Sequence, residues 1–228
     1  MVMVDMVIYE DNHLLALNKP AGWLVQGDRT GDSTLTDWGK AYLRDKYVKP
    51  GAVFLHPVHR IDRPVSGLVL LARTDKALSR LMAAFRERQV DKTYLALVLV
   101  PPPVKAGELR HHLLKDPARN LVRVVEPERV GAQEAVLQYR CLHATGKWAL
   151  LEVRPLTGRP HQIRAQLSSI GCPILGDLKY GAPAPLPDGA IGLHSRALRL
   201  EHPVRREPLL LEAPLPDVAY WSGVQEHL

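Results

Sequence analysis

The sequence predicts an α+β fold built on a mostly antiparallel sheet. Strand-like runs dominate the middle of the chain, one after another from Glu108 to Arg154. Helical patterns are few and scattered between such runs, an arrangement that favours the α+β class. We find no internal repeat and no low-complexity tract in the 228 residues, and a chain of this length can bury a substantial core. We therefore expect a single domain over residues 1–228.

Each strand is predicted from a short apolar or β-branched run. The first two runs flank Asp11-Asn12 and predict a hairpin-like start. Pro101, Pro102 and Pro103 end the fourth run. The predicted strands are, in order, 2–9, 14–18, 68–72, 90–100, 135–142, 148–153 and 209–212.

Three helices are predicted from capping residues and apolar spacing. Ser33 or Thr34 caps the first, which runs to Lys46, and Thr74 or Asp75 caps the second. Pro160 suits the first turn of the third. The positions predicted to face the core are Leu35, Trp38, Tyr42 and Leu43 in the first helix, Leu78, Leu81, Met82 and Phe85 in the second, and Ile163, Leu167 and Ile170 in the third. Gly and Pro predict a surface loop over residues 179–190.

The composition is that of an ordinary soluble globular protein, with 46% apolar and 24% charged residues. The net charge of +6 permits nucleic-acid binding without requiring it. Cys141 and Cys172 have no paired spacing, so we expect neither a disulfide framework nor a cysteine zinc site, and a reducing cytoplasm is the default. No signal peptide is recognised, and no apolar run reaches the roughly 20 residues that span a bilayer.

The segment from His59 to Leu70 is the most informative of the chain. Asp62 lies between Arg60 and Arg63, in a loop punctuated by Pro and Gly that runs into an apolar strand. An acid flanked by cations at the mouth of a strand is poised to stay ionised and reactive. For an isolated Asp-Arg-Pro the more common reading is a turn cap with surface ion pairs. The segments found elsewhere in the chain decide between these readings.

The segment resembles the central motif of the RluA-type pseudouridine synthases, His-Arg-Leu-Asp-x-x-Thr-Ser-Gly-Leu. Ile61 and Val65 depart from the usual Leu and Thr. Further segments match the same family in the expected order: Asn18–Gly22 (NKPAG), Lys92–Tyr94 (KTY), Gly158–Arg164 (GRPHQIR), the weaker Gly171–Asp177 (GCPILGD), and Leu193–Leu198 (LHSRAL) followed by His202-Pro203. The resemblance covers nearly the whole chain.

The resemblance implies a bent sheet with an active cleft across its centre, and a catalytic role for three residues. Asp62 would be the catalytic carboxylate, beside the anomeric carbon of the target nucleotide; attack on the base instead of the sugar, or assistance of proton abstraction from the ribose, stays open. Arg164 would be its ion-pair partner, because a guanidinium can hold a carboxylate through two parallel hydrogen bonds. Tyr94 would stack on the extruded uracil and exchange a proton.

Six further residues are candidates for contacts with the substrate. Arg60 and Arg63 would bind RNA phosphates or displace the flipped base. His59 would hydrogen-bond within the loop or be purely structural. The last three are Lys19, which would shape the pocket or touch RNA, and His161 and Gln162, which would make polar contacts or cap the third helix. Residues 194–196 are expected to have a structural role beside the active strand.

The implied function is pseudouridine formation in structured RNA, a stem-loop of transfer or ribosomal RNA, by a monomer. The first motif begins at Asn18, so we expect no RNA-binding domain ahead of the catalytic one. No metal, nucleotide or other cofactor is expected, because zinc-helix, phosphate-loop and dinucleotide motifs are missing. Glycoside hydrolysis would need a second carboxylate beside Asp62. The serious alternative is an RNA-binding protein without catalytic activity.

Overall fold

The computed structural model describes residues 6–27 and 31–228. The chain forms two compact units. The first consists of Met1–Asp91 and Ser195–Pro216, and the second of Lys92–His194 and Asp217–Leu228. The single catalytic domain expected over residues 1–228 stays a prediction.

The first unit contains a sheet with the strand order β1-β2-β4-β10, to which β3 adds on β4 and β11 on β10. The pairs β1/β2, β2/β4, β3/β4 and β10/β11 are all antiparallel. Most of β10 lies in this unit. The strands are β1 (Val7–Glu10), β2 (Leu14–Lys19), β3 (His56–Pro57), β4 (Ser66–Ala72), β10 (Leu193–Glu201) and β11 (Pro208–Glu212).

Strand β4 is buried along its whole length, as the apolar run after Asp62 predicted. Gly67 allows β10 to approach β4 closely, because a Cβ on Gly67 would lie 2.3 Å from the backbone oxygen of Ser195. The Ser195 hydroxyl also donates a hydrogen bond to the Leu68 carbonyl, at 3.1 Å. The structural role expected for this part of β10 is thereby confirmed at Ser195.

Two helices complete the first unit, α1 (Leu35–Lys46) and α2 (Asp75–Arg86). Their N-caps are Thr34 and Thr74, as predicted, and each hydroxyl accepts a backbone N–H of the first turn. The core face predicted for α2 is wrong at Met82, which is 49% exposed. The fully buried positions of α2 are Ala77 and Leu81, and the next residue along a helix points about 100° away from its predecessor.

The second unit contains an antiparallel sheet with the strand order β5-β9-β8-β6-β7. The strand succession predicted from residue 108 to 154 is confirmed, and the α+β class with mostly antiparallel pairing is confirmed with it. The strands are β5 (Asp91–Val98), β6 (Ala106–Asp116), β7 (Leu121–Val125), β8 (Gln133–Ala144) and β9 (Ala149–Pro155).

The third helix, α3 (Gln162–Ser169), belongs to the second unit and starts two residues later than Pro160 predicted. His161 has a φ of 49°, in the left-handed region, so the helical backbone begins only after it. Ile163 and Leu167 are buried as expected. The surface loop predicted over 179–190 is wrong at Tyr180, which is 7% exposed and packs in a small core with Ala165. Within the described residues, no helix is long and apolar enough to cross a membrane.

Candidate active site

Asp62 lies in a reverse turn immediately before β4. Its backbone carbonyl accepts the N–H of Val65 at 3.0 Å, which closes the turn. The side chains on either side, Ile61 and Val65, are 9% and 2% exposed, whereas Asp62 itself is half-buried. Two apolar anchors therefore fix the loop and leave the carboxylate between them. Val65, in place of the usual Thr, serves as one of these anchors.

Lys19, at the end of β2, ties the Asp62 turn to the loop that follows β2. Its side chain is completely buried, and Nζ donates to the carbonyls of Pro20 at 3.0 Å, Trp23 at 2.8 Å and Arg63 at 3.1 Å. Three acceptors use all three N–H groups of an ammonium. Burial lowers the pKa of Lys19 to about 7, and the negative charge of Asp62 opposes that shift.

Lys19 therefore fixes the two loops, which supports one of the two roles predicted for it, the shaping of the pocket. The other role, contact with RNA, stays a prediction; it is not favoured by the burial of the ammonium, whose N–H groups each have a backbone acceptor.

Arg63 joins the same two loops from the other side. The N–H of Gly22 donates to the Arg63 carbonyl at 2.8 Å, and Arg63 Nε donates back to the Gly22 carbonyl at 2.9 Å. Its Nη1 lies 2.9 Å from the Asp32 carboxylate, and both side chains are about half exposed. A phosphate bound by Arg63 would have to compete with Asp32.

Arg60 and His59 differ in their surroundings. Arg60 is exposed and has no ion-pair partner within the part of the chain that the structure describes. His59 Nε2 accepts the N–H of Leu70 at 3.0 Å, and the ring stacks on Phe85 of α2 with centroids 5.2 Å apart. A ring nitrogen that accepts a hydrogen bond carries no proton, so His59 is neutral here. These contacts support the structural alternative for His59 and leave Arg60 accessible to a phosphate.

In the second unit, the Arg164 side chain is held by a residue that the sequence analysis did not single out. Arg164 Nε and Nη2 donate to the two Asp177 oxygens at 2.7 and 2.9 Å, and the two side chains are 6% and 1% exposed. The Tyr180 ring lies 4.9 Å from the guanidinium carbon, in cation–π contact. Asp177 closes the weakest of the matching segments, which was the one signal in the sequence that could have pointed to it.

His161 and Gln162 bind other parts of the protein. Gln162 is buried, and its Oε1 accepts from the Thr157 hydroxyl at 2.7 Å and the Arg159 N–H at 3.0 Å. Its Nε2 donates to the Val136 carbonyl at 3.0 Å. These bonds use the amide to hold the loop before α3, and a contact of Gln162 with the substrate stays a prediction.

His161 Nδ1 lies 2.8 Å from the Tyr180 hydroxyl. That hydroxyl accepts the Val122 N–H at 2.9 Å, so its own proton can be donated to His161. His161 is the N-cap residue of α3 without a side-chain capping bond, so the capping alternative is wrong for it.

Tyr94 lies in β5, opposite Val153 of β9, and is half-buried. Asp62 belongs to the first unit, whereas Tyr94 and Arg164 belong to the second. The pairing of Asp62 with Arg164 and the joint action of the three residues stay predictions. Within the ranges that the structure describes, no group of three or more His, Cys, Asp or Glu side chains could hold a metal ion.

The comparisons with known proteins identify the class of protein. Residues 13–169 match the model of the RNA pseudouridylate synthase family, and this span is more than half of the chain. The chain therefore belongs to the RNA pseudouridylate synthase family, a family of isomerases, and the resemblance read from the motifs is confirmed.

Curated relatives include synthases named for two kinds of RNA. The chain is 35% identical over 217 residues to ribosomal large subunit pseudouridine synthase C of Vibrio vulnificus, covering 92% of this chain and 66% of the relative. It is 33% identical over 236 residues to tRNA pseudouridine synthase C of Pectobacterium carotovorum, covering 96% of this chain and 60% of that relative. Ribosomal large subunit pseudouridine synthase C of Rickettsia bellii is 33% identical over 229 residues, covering 98% and 72%. The chain thus spans about two thirds of the length of these relatives.

Solved structures agree on the fold. Human RNA pseudouridylate synthase domain containing 4 superposes with a TM-score of 0.77 at 30% identity, covering 92% of this chain and 88% of the other. Human RNA pseudouridylate synthase domain containing 1 gives a TM-score of 0.70 at 25% identity, covering 93% and 84%.

Proposed function

We propose that this protein isomerises uridine to pseudouridine in structured RNA. The observation that carries the proposal is the Asp62 turn. It stands in the motif that places the chain in the family, and it holds a half-buried carboxylate between two apolar anchors. The buried Lys19 ammonium, tied to the carbonyl beyond Asp62, stiffens this turn. A catalytic group held in one geometry avoids the entropy cost of finding it at each turnover.

The proposed reaction is an isomerisation in which all atoms are conserved. The bond from uracil N1 to ribose C1′ breaks, the base rotates, and C5 bonds to C1′. C5 then loses its proton and N1 gains one, so no oxidant, reductant or energy source is needed. We assign Asp62 to the anomeric carbon, where a carboxylate can attack or stabilise developing positive charge.

Tyr94 and Arg164 are assigned supporting roles in the same reaction, on the basis of the motifs that carry them. The target uridine has to leave its stack, at a cost of a few kcal/mol. A stacked Tyr94 ring would recover part of that cost, and its hydroxyl would exchange a proton with the base. Arg164 would orient the Asp62 carboxylate, and Asp177 would keep the guanidinium in one rotamer for that purpose.

The proposed substrate is a stem-loop of transfer or large-subunit ribosomal RNA. The net charge of +6 and the exposed Arg60 suit a polyanion, and the names of the relatives cover both kinds of RNA. We further propose a monomer that acts in the cytoplasm and uses no nucleotide cofactor.

Nucleoside analysis of treated RNA tests the proposal. Unmodified transfer RNA and large-subunit ribosomal RNA transcripts are incubated with wild type or with Asp62→Asn, digested, and separated by chromatography. Pseudouridine should form with wild type alone, and chemical mapping then names the uridine. Asp62→Asn should still bind the RNA, because its side-chain shape is kept. Tight binding by wild type without product from either RNA would favour the non-catalytic RNA-binding alternative.

A further inference from the structure

The C-terminal end of helix α2 lies beside the Asp62 loop within the first unit. The contact is the stack of Phe85 on His59, with ring centroids 5.2 Å apart and planes 15° from parallel. His59 is only three residues before Asp62, and Arg60 follows it directly. The residues that follow Phe85 therefore emerge next to the loop to which the catalytic carboxylate belongs.

These residues end the helix with a left-handed residue other than glycine. The Gln89 N–H donates to the Ala84 carbonyl at 2.9 Å, and the Arg88 N–H to the Phe85 carbonyl at 3.3 Å. This pair of bonds is a Schellman motif. The position that Arg88 occupies in this motif requires a left-handed backbone and is usually taken by glycine. Arg88 has a φ of 60°. A side chain there destabilises the fold relative to glycine, and at this position the side chain carries a cation.

The same end of α2 is cationic and exposed. The Arg86 side chain is 76% exposed, and Arg88 and Arg60 are exposed as well. Glu87 is the acid among them; its carboxylate lies 3.8 Å from Arg86 Nη2, and that side chain is 52% exposed, so it screens Arg86 only weakly. Met82, one turn before Arg86, is 49% exposed and adds an apolar contact surface.

We propose that Arg86 and Arg88 form, with Arg60, an RNA-binding surface, here called the α2-end surface, which holds phosphates of the RNA that flanks the target uridine. The inference rests on the proposed function, because it takes RNA as the substrate. Exposed guanidinium groups suit this role, since they neutralise phosphates and release counterions when they bind. The sequence predicted RNA contacts only at the motif segments, and none of those segments includes α2.

The chain offers a matched control for Arg88. Helix α1 ends in the same motif, with the Lys49 N–H bound to the Arg44 carbonyl at 3.0 Å and Val48 in the left-handed position at φ 48°. Val48 is 86% exposed and uncharged. Arg88→Gly and Val48→Gly should both relieve strain and raise the denaturant midpoint of unfolding. Only Arg88→Gly should weaken RNA binding.

The test measures the affinity for unmodified transfer RNA and large-subunit ribosomal RNA transcripts from 50 to 200 mM salt, with every variant made on the Asp62→Asn background. The logarithm of the affinity falls linearly with the logarithm of the salt concentration, and losing one phosphate contact should lower the magnitude of this slope by about 0.7–0.9. Over the fourfold rise in salt, the affinity of the parent should therefore fall about threefold more than that of the Arg88→Gly variant. Arg88→Lys should keep the parental slope, and Glu87→Gln should tighten binding. With Asp62 restored, Arg88→Gly should raise KM and leave kcat unchanged.

Unchanged affinity and slope in Arg88→Gly would overturn the inference, and so would an equal loss in Val48→Gly, which would trace the effect to the helix end instead of the charge. Failure of the proposed function would give a different result from failure of this inference. In that case wild type makes no pseudouridine, while the binding comparison on the Asp62→Asn background still decides the role of the α2-end surface.

Discussion

Asp177→Asn removes the negative charge that faces the Arg164 guanidinium and keeps the shape of the side chain. The two side chains are 6% and 1% exposed, and two hydrogen bonds of 2.7 and 2.9 Å join them. An asparagine can accept from only one of the two donors, since its other terminal atom is an NH₂ group. The change therefore takes the Asp177 charge away from a buried cation.

Breaking one partner out of a buried ion pair typically costs about 3–5 kcal/mol of the free energy of unfolding. Because asparagine keeps one of the two hydrogen bonds, we expect the lower end, about 3 kcal/mol, out of a total stability of about 5–15 kcal/mol. The variant should still fold, but it should unfold at a lower urea concentration than wild type. Under the role proposed for Arg164, the catalytic rate should fall as well, because a more mobile guanidinium would hold the Asp62 carboxylate less firmly.

Urea unfolding and tritium release from C5 of uracil measure the two effects on the same preparation. Glu201→Gln is the matched control: Glu201 pairs with Arg206 at 2.8 Å, but the side chains are 56% and 61% exposed, so its loss should stay within about 1 kcal/mol. An Asp177→Asn protein that unfolds like the control and isomerises at the wild-type rate would refute the reasoning.

Two further predictions concern the first unit. The pKa of Lys19 is about 7 in the folded state against an ordinary 10.5, so between those values the unfolded chain binds more protons and stability rises with pH. Between pH 7 and 9, the free energy of unfolding in urea should rise by about 2 kcal/mol more in wild type than in Lys19→Met. If the free energies of the two proteins changed in parallel with pH, the lowered pKa of Lys19 would be contradicted. Thr34→Ala should lower stability by about 1 kcal/mol, because the Thr34 hydroxyl accepts the Asp37 N–H at 3.1 Å within a capping box. Thr34→Ser should restore most of it, and equal midpoints for the Ala and Ser variants would count against the cap.

Features decided within a few residues were predicted well. Thr34 and Thr74 cap their helices because a hydroxyl at that position reaches the next turn, whatever the rest of the fold does. Strand β4 follows from an apolar run, residues 68–72, that is too short for a helix and is preceded by Pro64 and Gly67. The position of Asp62 at the mouth of β4 is likewise local.

Features that depend on distant backbone were missed. The burial of Lys19 requires three carbonyls from two loops to converge on one nitrogen, and no spacing in the sequence encodes that convergence. The bidentate pair of Arg164 and Asp177 joins residues 13 apart across an irregular segment. The late start of α3 depends on a left-handed His161, a backbone state that residue types predict weakly.

The central claim is that Asp62 carries the isomerisation, and release of tritium from C5 of uracil tests it most directly. The RNA is labelled at C5, lacks the modification, and is offered as transfer and as large-subunit ribosomal RNA to wild type and to Asp62→Asn. The account predicts release with wild type and none with Asp62→Asn, at equal RNA binding. Release by Asp62→Asn at the wild-type rate, or binding by wild type without release from either RNA, would contradict it.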